Sequence, residues 1–449
     1  MNILVLNLPF PRKIIRRYSC SYYSNGFLYL PQELLRLATI IKQNNTGNTF
    51  FIDAIAENRS VRDIIQFVKN NHVEIIFTLL SLDFIDTDLK LVNKIKQSTS
   101  VPIVSISYLA SLFRNQFQHL DVVLDKFFEQ KTYFALRNSS SQSDLINSLK
   151  ETEGKTFDFN PNLINQVDRS FINPKNYQEV FCRGKTAFLY FGFGCPYKCN
   201  YCISSYDYKN YTLRKKEFIF DELEQLYKEG YKNIRVLDDN STINKEFLKE
   251  LDIFLKEKKI FLNFYGLSRI SLIDKEMVEI LKDVGFKRIY LGLETLNQKM
   301  QEYYEKNIEV NLTILREKIR LLKSNGIETG LWMLFHPLKQ TKNELYSSIK
   351  ELSYLKADLV NLSILVPYPG TKLFDLEKEN INYSLNPFIS EFKTNYNCDK
   401  IERMFYVRYY LRPLNALRIM KFVLKYPIKS INLFFSLFKN PIDPRKDFI

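Results

Sequence analysis

Three cysteines lie within eight residues of this chain, at Cys195, Cys199 and Cys202, and they directly follow the apolar run 186–193. Cysteine thiolates are the usual ligands of iron–sulfur clusters. Three thiolates on one short loop can hold three irons of a cubane cluster and leave the fourth iron open to a substrate or cofactor. An open iron implies chemistry rather than electron storage, so this loop limits both the fold and the function of the chain.

Other roles for these cysteines fit the sequence less well. Structural zinc sites usually show two pairs of cysteine or histidine ligands, whereas Cys182 is the only other cysteine nearby, and the three histidines lie far from the loop. Six cysteines in 449 residues, with no signal peptide, predict a reducing, cytoplasmic setting rather than disulfides. The cysteines outside the loop are expected to be ordinary thiols: Cys20, Cys182 and Cys398.

Short apolar runs alternate with helical patterns through most of the chain. In the first part the predicted strands are residues 3–6, 50–52, 73–80, 101–106 and 121–124. In the second part they are residues 186–192, 233–237, 263–267, 288–293, 328–335 and 359–366. Such alternation predicts parallel sheets with helices on their faces, an α/β fold class. In parallel barrels the reactive groups lie at the carboxyl ends of the strands, and the cysteine loop follows the first strand of the second part.

The spacing C-x3-C-x2-C, with Tyr201 directly before the last cysteine, resembles the cluster loop of the radical S-adenosylmethionine (SAM) superfamily. The resemblance implies a partial (β/α)6 barrel and a 4Fe–4S cluster on Cys195, Cys199 and Cys202. It also implies that the open iron binds the amino and carboxylate groups of SAM, and that an electron from the cluster cleaves SAM to methionine and a 5′-deoxyadenosyl radical. Tyr201 is then expected to pack near the adenine.

Further polar residues follow the predicted strands where that superfamily contacts SAM. Asp238 and Asp239 end the second strand of this part, Arg269 follows the third, and Glu294 ends the fourth. The methionine moiety of SAM requires a carboxylate near its ammonium and a cation near its carboxylate. We expect Asp238 or Asp239 in the first role and Arg269 in the second, with Glu294 near the ribose or carboxylate. Taken singly, these residues are also explained as helix caps or surface ion pairs.

The order of the predicted parts resembles that of radical SAM enzymes with an N-terminal cobalamin-binding-type domain. The segment Pro367–Thr371 also resembles a motif that is common in that group. The predicted parts are a Rossmann-like domain at 1–145, degenerate or functional, a linker at 146–180, the radical SAM domain at 181–382 and a basic, aromatic helical region at 383–449. The glycines common after the fourth strand are replaced by Ser105–Ser111, and a cobalt-ligating Asp-x-His-x-x-Gly motif is missing. Bound cobalamin is therefore left open. If cobalamin binds, methyl transfer is the leading reaction. If cobalamin does not bind, rearrangement, oxidation, cyclisation and C–S bond formation are the open alternatives.

Two residues near the fifth strand depart from that group's pattern. Trp332 and His336 are expected to project near adenine or substrate. His336 has a side chain suited to general acid–base work, and the alternative is a packed histidine at the barrel rim.

Charge and composition give weaker information about partners. The net charge of +14 is spread through mixed-charge stretches, so nucleic acid is not the expected partner. Basic residues recur among apolar ones after residue 405, which fits either packing on the barrel or peripheral contact with an anionic membrane. The expected partners are a small-molecule, lipid-like or secondary-metabolite substrate and an electron donor such as flavodoxin or ferredoxin. A non-catalytic, redox-sensing cluster protein and an RNA-modifying enzyme are the alternatives from other classes.

Overall fold

The computed structural model describes residues 1–18, 20–24, 27–155, 157–204, 208, 210–382, 391–427 and 430–431. The chain divides into two compact units, one formed by residues 1–178 and the other by the described residues from 179 onward. Each unit is built around its own parallel sheet.

The first unit holds a five-stranded parallel sheet with the order β2-β1-β3-β4-β5. Its strands are β1 (Ile3–Asn7), β2 (Thr49–Asp53), β3 (Ile75–Leu79), β4 (Ile103–Ile106) and β5 (Val122–Leu124). Its helices are α1 (Gln32–Asn44), α2 (Val61–Asn70), α3 (Ile85–Thr99), α4 (Phe128–Arg137) and α5 (Gln142–Thr152). Every residue of β1, β3 and β4 is buried, as expected of a sheet covered on both faces. The strand order reverses between β1 and β3, where such sheets bind ligands.

The second unit holds six parallel strands that follow one another in chain order, β6 to β11. They are β6 (Thr186–Leu189), β7 (Asn233–Val236), β8 (Asn263–Arg269), β9 (Phe286–Glu294), β10 (Glu328–Phe335) and β11 (Leu359–Ile364). The accompanying helices are α6 (Lys216–Lys228), α7 (Lys245–Glu257), α8 (Lys275–Val284), α9 (Gln298–Tyr303), α10 (Leu312–Ser324), α11 (Lys342–Leu355) and α12 (Lys372–Leu376). The predicted α/β class with a partial (β/α)6 barrel is confirmed.

Two details differ from the sequence predictions. The strand predicted at 186–192 ends at Leu189, and Gly192–Phe193 instead pairs antiparallel with Thr212–Leu213. The reason is the carboxylate of Asp238, which accepts the backbone N–H groups of Phe191 and Gly192 and so turns the chain there. The linker predicted from residue 146 begins inside α5, because the serine-rich stretch before it supplies the helix cap: Ser141 accepts from the N–H of Asp144.

The C-terminal region contains α13 (Cys398–Tyr410) and α14 (Pro413–Lys425). Helix α13 runs beside β11, the edge strand of the second sheet, and its tyrosines satisfy that strand's backbone. The hydroxyl of Tyr410 bonds both the N–H and the C=O of Val360, and the hydroxyl of Tyr406 does the same at Leu362. The helical region was predicted over 383–449, and its parts at 383–390, 428–429 and 432–449 lie outside the described residues. Within the described residues, no helix has the length and apolarity needed to cross a membrane.

Candidate functional site

The cysteine loop leaves the second sheet just after β6 and is shaped by a glycine. Gly194 has a φ of +82°, and a Cβ there would lie 2.5 Å from the carbonyl oxygen of Asn210. A larger residue would therefore meet both backbone strain and a clash. Position 194 fixes the direction in which the chain enters Cys195.

The three cysteines of the loop follow β6 at the carboxyl end of the sheet, and none of them forms a disulfide. Cys199 is buried, while Cys195 and Cys202 are half-buried. Among the described residues, no three cysteine, histidine or acidic side chains converge on a point that would hold one metal ion. A cubane takes one thiolate per iron, so its ligands do not need to converge in that way. Three cysteine side chains outside disulfides, two of them partly accessible to solvent, fit the donor set of such a cluster.

Asp238 lies beneath this loop and serves as its anchor. The side chain is buried, and its two carboxylate oxygens accept the N–H groups of Phe191 and Gly192 at 2.8 and 3.0 Å. Tyr211 donates to the same carboxylate at 3.2 Å. Burial raises the pKa of Asp238 to about 8, partly offset by the backbone hydrogen bonds. Asp238 therefore holds the entry to the loop, with both carboxylate oxygens bonded to the backbone.

Asp239, the next residue, is exposed, and its charge acts on two of the cysteines. Burial is the main cause that raises the pKa of Cys195 to about 11 and that of Cys202 to about 12. The negative charge of Asp239 adds to both shifts. Of the two aspartates predicted for the SAM ammonium, Asp238 is bonded to the backbone, and Asp239 is exposed with a charge that acts on Cys195 and Cys202.

Arg269 is the last residue of β8 and contacts the same loop. Its Nη1 lies 3.5 Å from the sulfur of Cys199, and its guanidinium stacks 4.4 Å from the ring centre of Tyr197. A further bond from Nε to the hydroxyl of Ser271 fixes its orientation. The half-buried cation is therefore held at the cysteines, as expected for a group that binds a carboxylate beside the cluster.

Glu294 ends β9 in a backbone conformation that glutamate seldom adopts. Its φ is +67°, and the pairing with β10 shifts register between Gly292 and Glu294. Its carboxylate forms a buried ion pair with Lys306, whose Nζ also lies 3.3 Å from the hydroxyl of Tyr201. A Cβ at Gly292 would lie 2.8 Å from the Glu294 carboxylate, so that glycine leaves space for the pair. A strained residue at a strand end is typical of functional sites.

Lys306 was missed by sequence reasoning. It follows α9, twelve residues after its partner Glu294, and no spacing rule connects the two positions. Tyr201 is half-buried and packs edge-on against Tyr304 at 5.2 Å, with its hydroxyl turned toward this ion pair. Burial is the main cause that raises the pKa of Tyr201, and the charge of Glu294 adds to it.

His336 and Trp332 differ sharply in exposure. His336 is fully buried among the rings of Tyr303, Tyr304 and Phe392, and burial lowers its pKa to about 4. Its Nδ1 accepts the N–H of Leu338, which assigns the ring proton to Nε2. Trp332, by contrast, is 38 % exposed and lies 6.0 Å from the ring of Tyr290. His336 is thus a neutral, packed residue, and Trp332 is the one of the two that a ligand could touch.

The segment Pro367–Thr371 supports the cysteine loop. Gly370 has a φ of +87°, and Thr371 caps α12 by accepting the N–H of Phe374. The backbone of Leu373 at the start of α12 donates to the carbonyl of Asn200, between two of the cysteines. The turn therefore sets the position of the loop through α12.

In the first unit, the crevice expected at the switch point between β1 and β3 is filled by the chain itself. Arg16 and Asp88 form an ion pair of 2.7 Å in which neither side chain has measurable exposure. Arg16 also donates to Asn7 and to the carbonyl of Leu8, and Ser81 donates to Asp88. Beyond β4, Tyr108 and Leu109 are buried where glycines were expected in a cobalamin-type domain.

The segment that contains the cysteine loop is similar to known proteins. Residues 189–352 match the model of the Radical SAM superfamily. An uncharacterized methyltransferase of Pyrococcus horikoshii is 24 % identical over 232 residues, which make up 49 % of this chain and 50 % of that protein. The chain thus spans about half the length of this curated relative.

Two solved structures share the fold over most of the chain. The radical SAM methyltransferase TsrM of Kitasatospora setae, solved with cobalamin and a 4Fe–4S cluster, has a TM-score of 0.62 at 13 % identity; the match covers 84 % of this chain and 75 % of TsrM. The cobalamin-dependent SAM radical enzyme OxsB, solved with aqua-cobalamin and SAM, also has a TM-score of 0.62, at 14 % identity; the match covers 97 % of this chain and 72 % of OxsB. At identities of 13 % and 14 %, these similarities show a shared fold and nothing about activity.

Proposed function

We propose that this chain, which carries a radical SAM domain at residues 189–352, is an enzyme that cleaves SAM at a 4Fe–4S cluster and abstracts hydrogen from an unactivated carbon of a small-molecule substrate. One observation supports this most strongly. Three cysteines outside disulfides share one loop, with a fixed guanidinium at Cys199, and the charge of an exposed carboxylate, Asp239, acts on Cys195; a zwitterionic amino acid requires both charges.

Each residue of the site has a distinct part in this proposal. Cys195, Cys199 and Cys202 hold the cluster, which when bound supplies the electron that splits SAM into methionine and a 5′-deoxyadenosyl radical. Asp239 binds the ammonium of SAM, and Arg269 binds its carboxylate. These two charges orient the sulfonium toward the loop, because a zwitterion held at both ends keeps one direction.

The pair Glu294–Lys306 is proposed to form the wall against the ribose, as the position of Glu294 after β9 suggests. Tyr201 links that wall to the cysteine loop through its contact with Lys306. Burial of the pair keeps water away from one side of the site, which protects a reactive radical from side reactions.

The experiment that tests this proposal is product analysis after anaerobic reconstitution. The protein is loaded with iron and sulfide, reduced, and incubated with SAM, and 5′-deoxyadenosine is measured by mass spectrometry. We expect the product with the wild-type chain and none with the variant Cys195→Ala/Cys199→Ala/Cys202→Ala. The matched control is Cys398→Ala, because Cys398 is also half-buried but lies on α13, outside the loop. A loaded cluster that binds SAM and never cleaves it would instead indicate a non-catalytic, redox-sensing role.

Cobalamin-dependent methyl transfer is the second candidate function. It is favoured by the curated relative, which is named a methyltransferase, and by the fold shared with TsrM and OxsB. The first unit does not fit cobalamin as it stands, since the switch-point crevice is occupied by Arg16 and its partners. We therefore derive no step through cobalamin. Oxidation, cyclisation, rearrangement and C–S bond formation are the reaction types that do not require cobalamin.

Cobalamin binding can be measured separately from SAM cleavage. The reconstituted protein is mixed with hydroxocobalamin and passed over a gel-filtration column, and the corrin absorbance that elutes with protein is recorded. We expect none. Bound corrin, together with S-adenosylhomocysteine formed only in its presence, would establish the methyltransferase instead.

The partners proposed for the catalytic cycle follow from the cofactor set. A 4Fe–4S cluster needs an external one-electron donor, and flavodoxin or ferredoxin is the proposed class. The substrate is proposed to be a small molecule, lipid-like or a secondary metabolite.

A further inference from the structure

Helix α14 presents two unlike faces. One face is buried in the second unit through Asn415, Phe422 and, just after the helix, Tyr426. The opposite face carries large apolar side chains that stay in water: Leu414, Leu417, Met420 and Leu424, with exposed fractions from 49 % to 76 %. We call these four residues the leucine stripe. Leu411, just before the helix, is also exposed, at 69 %.

The buried face fixes how the stripe points. Asn415 donates to the hydroxyl of Ser353 and to the carbonyl of Tyr409, while Arg418 donates to the carbonyl of Ser353. The ring of Phe422 packs 5.1 Å from that of Phe181. Since these contacts lock the helix against rotation, the leucine stripe is held outward in the folded protein.

The segment of the chain that carries the stripe is basic. The sequence from residue 403 to 442 contains eight Lys or Arg residues and no Asp or Glu. Arg412 and Lys425, one at each end of α14, are exposed beside the stripe. A helix with an apolar outer face and basic flanks is the pattern of helices that lie in a membrane interface.

We propose that α14 docks on an anionic lipid surface, with the leucine stripe inserted at the level of the headgroups and Arg412 and Lys425 on the lipid phosphates. Insertion removes several leucine side chains from water, and each cation near an anionic leaflet adds about 1 kcal/mol of attraction. A second copy of this chain fits the exposed face of α14 less well than an anionic lipid surface does. A two-fold contact would bring this acid-free segment against itself and so set cation against cation.

This proposal does not depend on the proposed function, because none of its residues belongs to the candidate active site. It has a consequence for that function, however. Docking through α14 would give a membrane-dissolved substrate a short path to the enzyme, which makes a lipid-like substrate the class to test first.

The test is co-sedimentation of the full chain with sucrose-loaded vesicles of phosphatidylglycerol and phosphatidylcholine, compared with vesicles of phosphatidylcholine alone. We expect binding only to the anionic vesicles, and weaker binding in high salt. The variant Leu417→Gln/Leu424→Gln should reduce the partition coefficient at least tenfold. The variant Arg412→Gln/Lys425→Gln should reduce it by about fivefold per charge.

The matched control is Ile253→Gln/Phe261→Gln, which removes two equally exposed apolar side chains, 55 % and 75 %, elsewhere in the same unit. It should bind vesicles like the wild type, and circular dichroism should show that all variants are folded. Equal binding by the stripe variant and the control, or no binding to anionic vesicles, would overturn the proposal. A wild-type dimer in sedimentation velocity that the stripe variant abolishes would also overturn it and assign the face to a second copy.

Discussion

Arg269 holds a guanidinium nitrogen 3.5 Å from the sulfur of Cys199. The same guanidinium lies over the ring of Tyr197, a residue of the cysteine loop itself. The cation and the loop are thus positioned together. Arg269 can neutralise negative charge that gathers at the thiolates, and it can also bind an anionic group of a ligand placed over them.

Replacing Arg269 should weaken SAM binding more than it weakens the protein. For Arg269→Ala we expect SAM affinity to fall about 10- to 100-fold, since a hydrogen bond to a charged group is worth about 1.5–3 kcal/mol. Arg269→Lys should recover only part, because lysine cannot provide the planar fork of arginine. Equilibrium dialysis with the reconstituted protein measures the affinity, and iron content is the control. Unchanged SAM affinity in a loaded Arg269→Ala protein would remove Arg269 from the site.

The two adjacent aspartates should behave differently. Asp238→Ala leaves the N–H groups of Phe191 and Gly192 without their acceptor, so we expect a loss of about 2–4 kcal/mol in the free energy of unfolding and poor cluster loading. Asp239→Ala should leave the urea midpoint and the iron content unchanged but weaken SAM binding about tenfold. Urea unfolding, iron analysis and dialysis of both variants check this. The reverse pattern, with Asp239 needed for stability, would contradict the assignment.

The buried pair Arg16–Asp88 should be costly to break from one side. For Arg16→Met we expect a loss of about 3–5 kcal/mol in the free energy of unfolding, because an uncompensated buried carboxylate is left behind. The double variant Arg16→Met/Asp88→Leu should recover part of the loss. Arg59→Met is the control, since its pair with Glu57 is exposed and contributes little. Equal urea midpoints for Arg16→Met and Arg59→Met would show that the crevice is not closed by this pair.

His336 should make the protein less stable in weak acid. Its folded pKa of about 4 lies below the ordinary value of 6.5, so the unfolded chain binds more protons between these values. Stability gained through neutral His336 is therefore present above pH 6.5 and is lost as the pH falls toward 4. Between pH 7 and 5 the expected loss is about 2 kcal/mol. Urea unfolding of wild type and His336→Phe at both values measures it; an equal pH dependence in the two proteins would show that His336 titrates normally.

Strand and helix patterns in the sequence were sufficient to predict the fold class and most strand positions. Strands β7 to β11 lie within a few residues of their predicted bounds because buried parallel strands read as continuous apolar runs. The end of β6 could not be predicted in this way. It depends on a hydrogen bond that the N–H of Gly192 donates to the carboxylate of Asp238, 46 residues later in the chain.

The candidate site was only partly visible in the sequence. The cysteines and the positions after β7, β8 and β9 could be named, since strand ends meet at one edge of a parallel sheet. Which of two neighbouring aspartates points outward is decided by which one binds the backbone, and this requires the structure. Lys306 pairs with Glu294, and Arg16 pairs with Asp88. Both basic residues lie in short segments without a periodic apolar pattern, so the sequence did not predict either ion pair.

The spacing of two tyrosines on α13 matches the spacing of the backbone groups that they bond on β11, the edge strand of the barrel. Four helical residues span about 6 Å and two strand residues span about 6.7 Å, so hydroxyls four positions apart meet backbone groups two positions apart. One residue inserted in α13 between Tyr406 and Tyr410 would rotate the second hydroxyl by about 100° around the helix, away from β11. The backbone groups of this edge strand would then lack their partner, and exposed strand edges are a common starting point for aggregation. The spacing of two side chains thus sets how much length variation this part of the chain can tolerate during evolution.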